Sequence, residues 1–146
     1  MKLARADGVP GTLALKLYHS SSDVALDTER SAYQAIPQSL HIVELHGFGR
    51  FSTLHSASGA SIESYLVLKE TEFSDLQSCL SRVGKFPLSV TKRIMFDIFA
   101  GLEKVHQSGW VHNDLKLENM LMNRRFGSRS RILATLSKVS HLLPLA

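Results

Sequence analysis

Three polar side chains between Asp114 and Asn119 have the types and spacing to act on a phosphate group. The stretch carries a carboxylate at Asp114, an ammonium at Lys116 and an amide at Asn119. In an irregular loop these groups can converge to accept a proton, neutralise a phosphate and ligate a hard cation. Phosphoryl transfer requires those functions, because its catalysis depends mainly on positioning and charge stabilisation. The same pattern also fits a polar turn between two apolar segments, and taken alone it favours that turn.

Two elements upstream carry further charged side chains. Alternation over residues 12–18 predicts a strand in which Lys16 shares a face with Ala14. Helical spacing over residues 24–36 predicts a helix with Glu29 as the only charge in its apolar stripe. A single charge on a helix is usually solvated at the surface. On the pattern alone, Glu29 is therefore expected at the edge of the stripe.

Two more strands and two more helices complete the predicted elements. Strands are predicted over residues 41–48 and 62–68, joined by a loop of small residues. Residues 73–83 predict a short helix, and residues 89–107 predict a long one. The long helix needs a large surface to pack against, because its predicted apolar face consists of Met95, Ile98, Phe99, Leu102 and Val105.

The stretch His-Asn-Asp-Leu-Lys-Leu-Glu-Asn, which ends at Asn119, resembles the catalytic loop H-R-D-L-x-x-x-N of eukaryotic-type protein kinases. It follows a long amphipathic helix, as in that family. The resemblance implies that Asp114 takes the hydroxyl proton of the substrate, that Asn119 holds a magnesium ion and that His112 is structural. Lys116 is similar to the lysine of the serine/threonine type, which implies contact with the transferred phosphate.

The upstream elements also resemble this family, in the same order along the chain. The tetrapeptide Leu-Ala-Leu-Lys ending at Lys16 resembles V-A-I-K, which implies that Lys16 binds the α- and β-phosphates of ATP. Glu29 would then pair with Lys16, and Ala14 would line the adenine pocket. The stretch Leu-Val-Leu-Lys-Glu ending at Glu70 resembles the strand that enters the hinge. There, Leu68 would be the gatekeeper and the backbone near Glu70 would bind adenine.

The resemblance implies an α+β, protein kinase-like fold with a partial small lobe, made of an antiparallel sheet plus one helix. Residues 1–72 would form the small lobe and hinge. Residues 73–122 would start the large lobe and include the catalytic loop. Residues 123–146 are a basic tail outside the kinase pattern. Ile132, Leu133, Leu136, Val139 and Leu143 could form one face of a basic amphipathic helix, but a solvated or poorly ordered tail is the favoured interpretation.

Several landmarks of the kinase pattern are missing. No complete G-x-G-x-x-G precedes Lys16, and neither Asp-Phe-Gly nor Ala-Pro-Glu occurs. Arg125-Phe126-Gly127 matches the second motif only in letters and follows Asn119 too closely. No acidic residue follows Glu118, so the tail has no side-chain carboxylate for a metal ion. Asn113 stands where the family usually has arginine. We therefore expect a truncated kinase domain with impaired activity and weakened magnesium binding.

Charge and composition narrow the classes of function. Residues 1–122 carry 12 Lys and Arg against 13 Asp and Glu, whereas residues 123–146 carry five basic residues and no acid. The neutral body argues against nucleic acid as the partner. No stretch is apolar enough to predict a membrane span. One cysteine, Cys79, excludes an internal disulfide and fits a reducing compartment, so an intracellular location, cytoplasmic or nuclear, is expected.

Four functions remain open from the sequence. The first is a serine/threonine kinase-like protein that binds ATP with Mg²⁺ and phosphorylates a protein substrate. The second is a non-catalytic, pseudokinase-like module that acts through a protein partner. The third is an inactive fragment. The fourth is a small-molecule phosphotransferase of the aminoglycoside or choline type, which Lys116 disfavours because those enzymes usually have histidine there.

Overall fold

The computed structural model describes residues 2–4, 13–18, 23–55, 59–69, 75–123, 131–136 and 138–141. Within these ranges the chain forms an antiparallel sheet with one helix, followed by two helices and two short strand pairs. A 3-10 turn precedes β6. In chain order the elements are β1 (Lys2–Ala4), β2 (Leu13–Tyr18), α1 (Asp23–Ala35), β3 (Leu45–His55), β4 (Gly59–Lys69), α2 (Leu76–Val83), α3 (Leu88–Gln107), β5 (Trp110–His112), β6 (Met120–Asn123), β7 (Arg131–Ala134) and β8 (Val139–His141).

Strands β1 to β4 form one antiparallel sheet in the order β1-β2-β4-β3. Strand β2 alternates as predicted, but its leucine face is not the more buried one. On the face that also carries Lys16, Ala14 and Tyr18 are buried. On the leucine face Leu13 is buried, but Leu15 and Leu17 are only half-buried. The face with the lysine therefore points into the molecule, where its ammonium needs a partner.

Strands β3 and β4 form a long hairpin that exceeds the predicted strands at its closed end. Their pairing runs from Leu45 opposite Leu68 to His55 opposite Gly59. The predicted strand over residues 41–48 begins later than expected, because Ile42 forms an isolated parallel bridge with Ala134 instead.

Helix α3 buries the predicted Val105, but the rest of its buried face differs from the predicted one. Ile94, Asp97, Gly101 and Val105 are its buried residues, whereas Phe99 is 61% exposed. The face is rotated because Asp97, which the hydrophobic pattern excludes, is buried beside polar partners. Its carboxylate accepts a hydrogen bond from the backbone of β7 and lies near two basic side chains, those of His41 and Arg93. Among the described residues, no helix is long and apolar enough to cross a membrane.

Neither the amphipathic helix nor the solvated tail expected from the sequence is found in the part of the tail that the structure describes. Residues 131–134 and 139–141 are strands β7 and β8, which pair with β6 and β5. These pairings satisfy backbone groups of β5 and β6 that a helical tail would leave without partners. The residues that could share a helical face are instead buried in the strand pairs and beside them, at Ile132, Leu133, Leu136 and Val139. Leu143 lies outside the described residues.

Residue 134 joins the two parts of the fold. The backbone N–H of Ala134 donates to the carbonyl of His41, and its own carbonyl accepts from the N–H of Val43, at 2.9 and 3.1 Å. A buried cluster next to this junction contains residues of α1, α3, β5 and β8. The described part of the tail is therefore integral to the core between the sheet and the helices.

Candidate functional site

Lys16 of β2 and Glu29 of α1 form an ion pair. The Lys16 ammonium lies 2.9 Å from Oε1 and 2.6 Å from Oε2 of Glu29. Glu29 is only 3% exposed, and it also accepts a hydrogen bond from the hydroxyl of Tyr18. These contacts explain a charge inside the apolar stripe of α1, because a buried carboxylate is stable when it is paired and hydrogen-bonded. Burial, followed by the charge of Glu29, raises the pKa of Tyr18 well above its usual range.

Asp114, Lys116 and Asn119 converge in the loop between β5 and β6. The side-chain amide of Asn119 donates to the backbone carbonyl of Asp114 at 2.8 Å and to its Oδ2 at 2.9 Å. The ammonium of Lys116 lies 3.4 Å from the same Oδ2, and that of Lys138 lies 3.9 Å from Oδ1. The hydrogen bond from Asn119, with the charges of both lysines, lowers the pKa of Asp114, which therefore stays ionised at neutral pH.

His112 holds this loop against the residue that follows β7. Its Nε2 lies 2.6 Å from the carbonyl oxygen of Thr135, and its Nδ1 accepts from the backbone N–H of Asp114 at 3.3 Å. This pair of partners requires the neutral tautomer with the proton on Nε2. His112 is buried, and its contacts fit the structural role that the sequence predicted for it.

The Lys16–Glu29 ion pair and the carboxylate of Asp114 face a common cavity of about 480 Å³. This volume lies within the range of small-molecule sites. We call residues 113–119, between β5 and β6, the catalytic-type loop. The cavity is bounded by β2, α1, this loop and the residues at which β8 begins. Its lining residues are Lys16, Tyr18, Ala25, Thr28, Glu29, Asp114, Lys138 and Val139.

The residues predicted for the adenine end lie in the core beside this cavity rather than in its lining. Ala14 and Leu68 are opposite each other on β2 and β4, and both are buried. Leu121 of β6 belongs to the same apolar cluster. Leu121 was not among the residues predicted for the site, although its position two residues after Asn119 was a usable signal. Glu70 lies outside the described residues.

Thr135 occupies the position directly after the strand pair that follows the catalytic-type loop. Its backbone N–H donates to the carbonyl of Asn119 at 3.0 Å, and its hydroxyl lies 3.4 Å from the same oxygen. The resemblance to kinases implies that the metal-binding aspartate of Asp-Phe-Gly would follow such a strand pair, which makes position 135 its candidate counterpart. Residues 125–127, which match that motif only in letters, come before β7. Leu136, which comes next, is fully buried.

The donor set around Asp114 does not fit a magnesium ion. Mg²⁺ is usually held by one or two carboxylates together with substrate phosphates. Here a threonine stands next to Asn119, and two ammonium groups already surround the carboxylate of Asp114. The described residues contain no cluster of three or more His, Cys, Asp or Glu side chains that could hold a metal ion. Magnesium coordination by Asn119 remains a prediction from the resemblance.

The chain is similar to protein kinases. The family model "Protein kinase domain" matches residues 12–132, a range that extends from β2 to the first residues of β7. A probable serine/threonine-protein kinase, pknA2 of Bifidobacterium longum, is 31% identical over 114 residues, covering 73% of this chain and 14% of its own length. The dual serine/threonine and tyrosine protein kinase of Danio rerio is 31% identical over 107 residues, covering 71% of this chain and 11% of its own.

A solved structure has the same fold. The Rad53 kinase domain, crystallised with SCD2 in complex with AMPPNP, superposes with a TM-score of 0.72 at 19% sequence identity. The match covers 94% of this chain and 47% of the Rad53 chain. The α+β, kinase-like architecture predicted from the sequence is thereby confirmed, with a partial small lobe followed by the first helices of the large lobe. This chain belongs to the protein kinase family.

Proposed function

We propose that the cavity between β2, α1 and the catalytic-type loop binds ATP. The observation that carries this proposal is the Lys16–Glu29 ion pair, which faces Asp114 across a cavity of suitable size. A buried glutamate fixes the lysine ammonium in place, as required for a contact with the α- and β-phosphates. The complex of the Rad53 kinase domain with AMPPNP supports a nucleotide as the ligand of this fold.

The loop supplies the groups for phosphoryl transfer to a serine or threonine hydroxyl of a protein. Asp114 is ionised and is held by Asn119, so it can accept the hydroxyl proton. Lys116 lies next to that carboxylate and is half-exposed, which leaves its ammonium able to reach the transferred phosphate. The serine/threonine kinases among the relatives support this substrate class.

A non-catalytic, pseudokinase-like binding module is the second candidate. Thr135 favours it, because a threonine beside Asn119 offers no carboxylate to hold the magnesium ion that would neutralise charge between the β- and γ-phosphates. In this case the chain would bind nucleotide, or a protein partner, without efficient phosphoryl transfer. Partner binding that survives Asp114→Asn would favour this second function.

Thermal unfolding of the chain with and without ATP tests nucleotide binding. A ligand that binds only the folded state at 100 times its dissociation constant adds about 2.7 kcal/mol of stability. We expect ATP to raise the melting temperature of the wild-type chain and of Lys92→Met, an exposed lysine on α3 outside the cavity lining. Lys16→Met should remove the shift. A wild-type melting temperature that ATP leaves unchanged would refute the proposal.

A further inference from the structure

We propose that the cavity binds the phosphates of its nucleotide without a divalent cation, and that the ammonium of Lys138 supplies the positive charge. The proposal rests on nucleotide binding as proposed above. It goes further by assigning a role to a lysine outside the kinase pattern, and it replaces the expected metal ion with a side chain of this chain.

The first observation is the chemistry of the residues around Asp114. Thr135 brings a hydroxyl and no charge to the position next to Asn119. The remaining carboxylate, Asp114, lies between the ammonium groups of Lys116 and Lys138. A doubly charged cation at this carboxylate would be repelled by both ammonium groups. Since Lys16 is paired with Glu29, the two ammonium groups beside the single carboxylate of Asp114 leave this end of the cavity positive, which favours an anion over Mg²⁺ there.

The second observation is the placement of Lys138. It lines the cavity together with Lys16 and directly precedes β8. The next residue, Val139, is buried and pairs with His112, so the backbone beside Lys138 is tied to the catalytic-type loop. Lys138 has a φ of 52°, which is uncommon for a residue other than glycine. The β5–β8 pairing, which begins at the next residue, thus fixes the backbone of Lys138 beside the cavity.

The third observation is that the contact of Lys138 with Asp114 is loose. The distance of 3.9 Å is close to the limit for an ion pair, and the Lys138 side chain is 75% exposed. Exposed pairs of this kind contribute little stability. The ammonium can therefore leave the carboxylate for a phosphate oxygen at small cost. By contrast, the short contact between Lys16 and buried Glu29 keeps that ammonium fixed.

Equilibrium titration with the fluorescent nucleotide N-methylanthraniloyl-ATP tests this inference. The full chain is titrated in excess EDTA and, separately, in excess MgCl₂. We expect similar affinities in the two buffers. In EDTA, Lys138→Met should weaken binding about tenfold, the effect of losing one charge-assisted contact. Lys138→Arg should retain the affinity because it keeps the charge. Lys92→Met, the exposed control on α3, should bind like the wild type.

The possible outcomes separate this inference from the proposed function. Binding that requires Mg²⁺ would overturn the inference and leave nucleotide binding intact. Binding in EDTA that Lys138→Met does not weaken would overturn the role of Lys138. Failure of the wild type to bind in either buffer would overturn both. Because Lys138 is exposed, we expect its variants to fold, and circular dichroism melting verifies this before titration.

Discussion

The Nε2 atom of His112 lies 2.6 Å from the carbonyl oxygen of Thr135, so the loop that carries Asp114 is fastened to the residue after β7. The same threonine hydrogen-bonds through its N–H to the carbonyl of Asn119. These contacts place a neutral side chain beside Asn119, at the position that we assign to the metal-binding carboxylate of the kinase pattern. The charge at this point should therefore decide how nucleotide binding responds to magnesium.

Thr135→Asp should make nucleotide binding respond to Mg²⁺. The new carboxylate would stand beside Asn119 and Asp114 and, without a cation, would repel phosphate. We expect about tenfold weaker binding in EDTA than in MgCl₂ for this variant, measured by titration with N-methylanthraniloyl-ATP. Thr135→Val has a similar shape and no charge, so its affinity should be the same in both buffers. Equal affinities for Thr135→Asp in the two buffers would contradict this assignment of position 135.

Glu29→Gln should destabilise the chain more than the matched substitution Glu44→Gln. Both glutamates pair with a strand lysine, but Glu29 is 3% exposed and Glu44 is 33% exposed. Removing the buried charge leaves Lys16 and Tyr18 with a poorer partner, which should cost about 1–3 kcal/mol of unfolding free energy. The exposed pair of Glu44 with Lys69 should contribute under about 1 kcal/mol. Urea unfolding measures both, and equal losses would show that burial of the pair is unimportant.

Asp114→Asn should reduce the loss of stability in acid. The pKa of Asp114 is lower in the folded chain than in the unfolded chain, chiefly because of the hydrogen bond from Asn119. Its stabilising contribution is therefore complete above about pH 4 and disappears as the pH falls through the folded-state pKa. Urea unfolding midpoints measured from neutral pH downward should fall less steeply for Asp114→Asn than for the wild type. Identical slopes would contradict the pKa shift.

Substitutions on α3 should distinguish its buried face from the predicted one. Ile94 is 8% exposed and lies in a buried cluster, so Ile94→Ala should cost about 2–4 kcal/mol. Phe99 is 61% exposed, so Phe99→Ser should change the unfolding free energy by less than about 0.5 kcal/mol. Chemical denaturation compares the two variants. A larger loss of unfolding free energy for Phe99→Ser than for Ile94→Ala would show that the face predicted from the hydrophobic pattern is the buried one.

The sequence predicted β2 and α1 well, because their signals are local, whereas β1 was not predicted and the bounds of β3 and β4 were less accurate. Alternation over residues 12–18 and helical spacing over residues 24–36 locate β2 and α1 within a residue or so of their observed bounds. The structure also brings Lys16 and Glu29 together. This pairing was expected from the resemblance to kinases. The apolar stripe on α1 alone favoured a solvated Glu29.

The buried face of α3 and the tail could not be predicted by the same means. Asp97 is buried because the N–H of Ile132 and nearby basic groups surround it, and those partners are distant in sequence. Strands β7 and β8 are too short for a clear alternation, and their apolar spacing also fits a helix. They become strands because they pair with β6 and β5, which is a contact that the local sequence does not show. Thr135 carries no chemical signal in the sequence, so its place beside Asn119 needed the fold.

The most direct test of nucleotide binding in this cavity is chemical labelling with an acyl-phosphate derivative of ATP. A lysine amine beside the phosphates attacks the acyl carbonyl, forms an amide and releases ATP, and mass spectrometry then locates the acylated lysine. We predict that Lys16 and Lys138 are labelled in EDTA and that excess ATP suppresses both labels. Any labelling of Lys92 should be the same with and without excess ATP. Labelling of neither cavity lysine, or labelling that excess ATP leaves unchanged, would contradict nucleotide binding at this site.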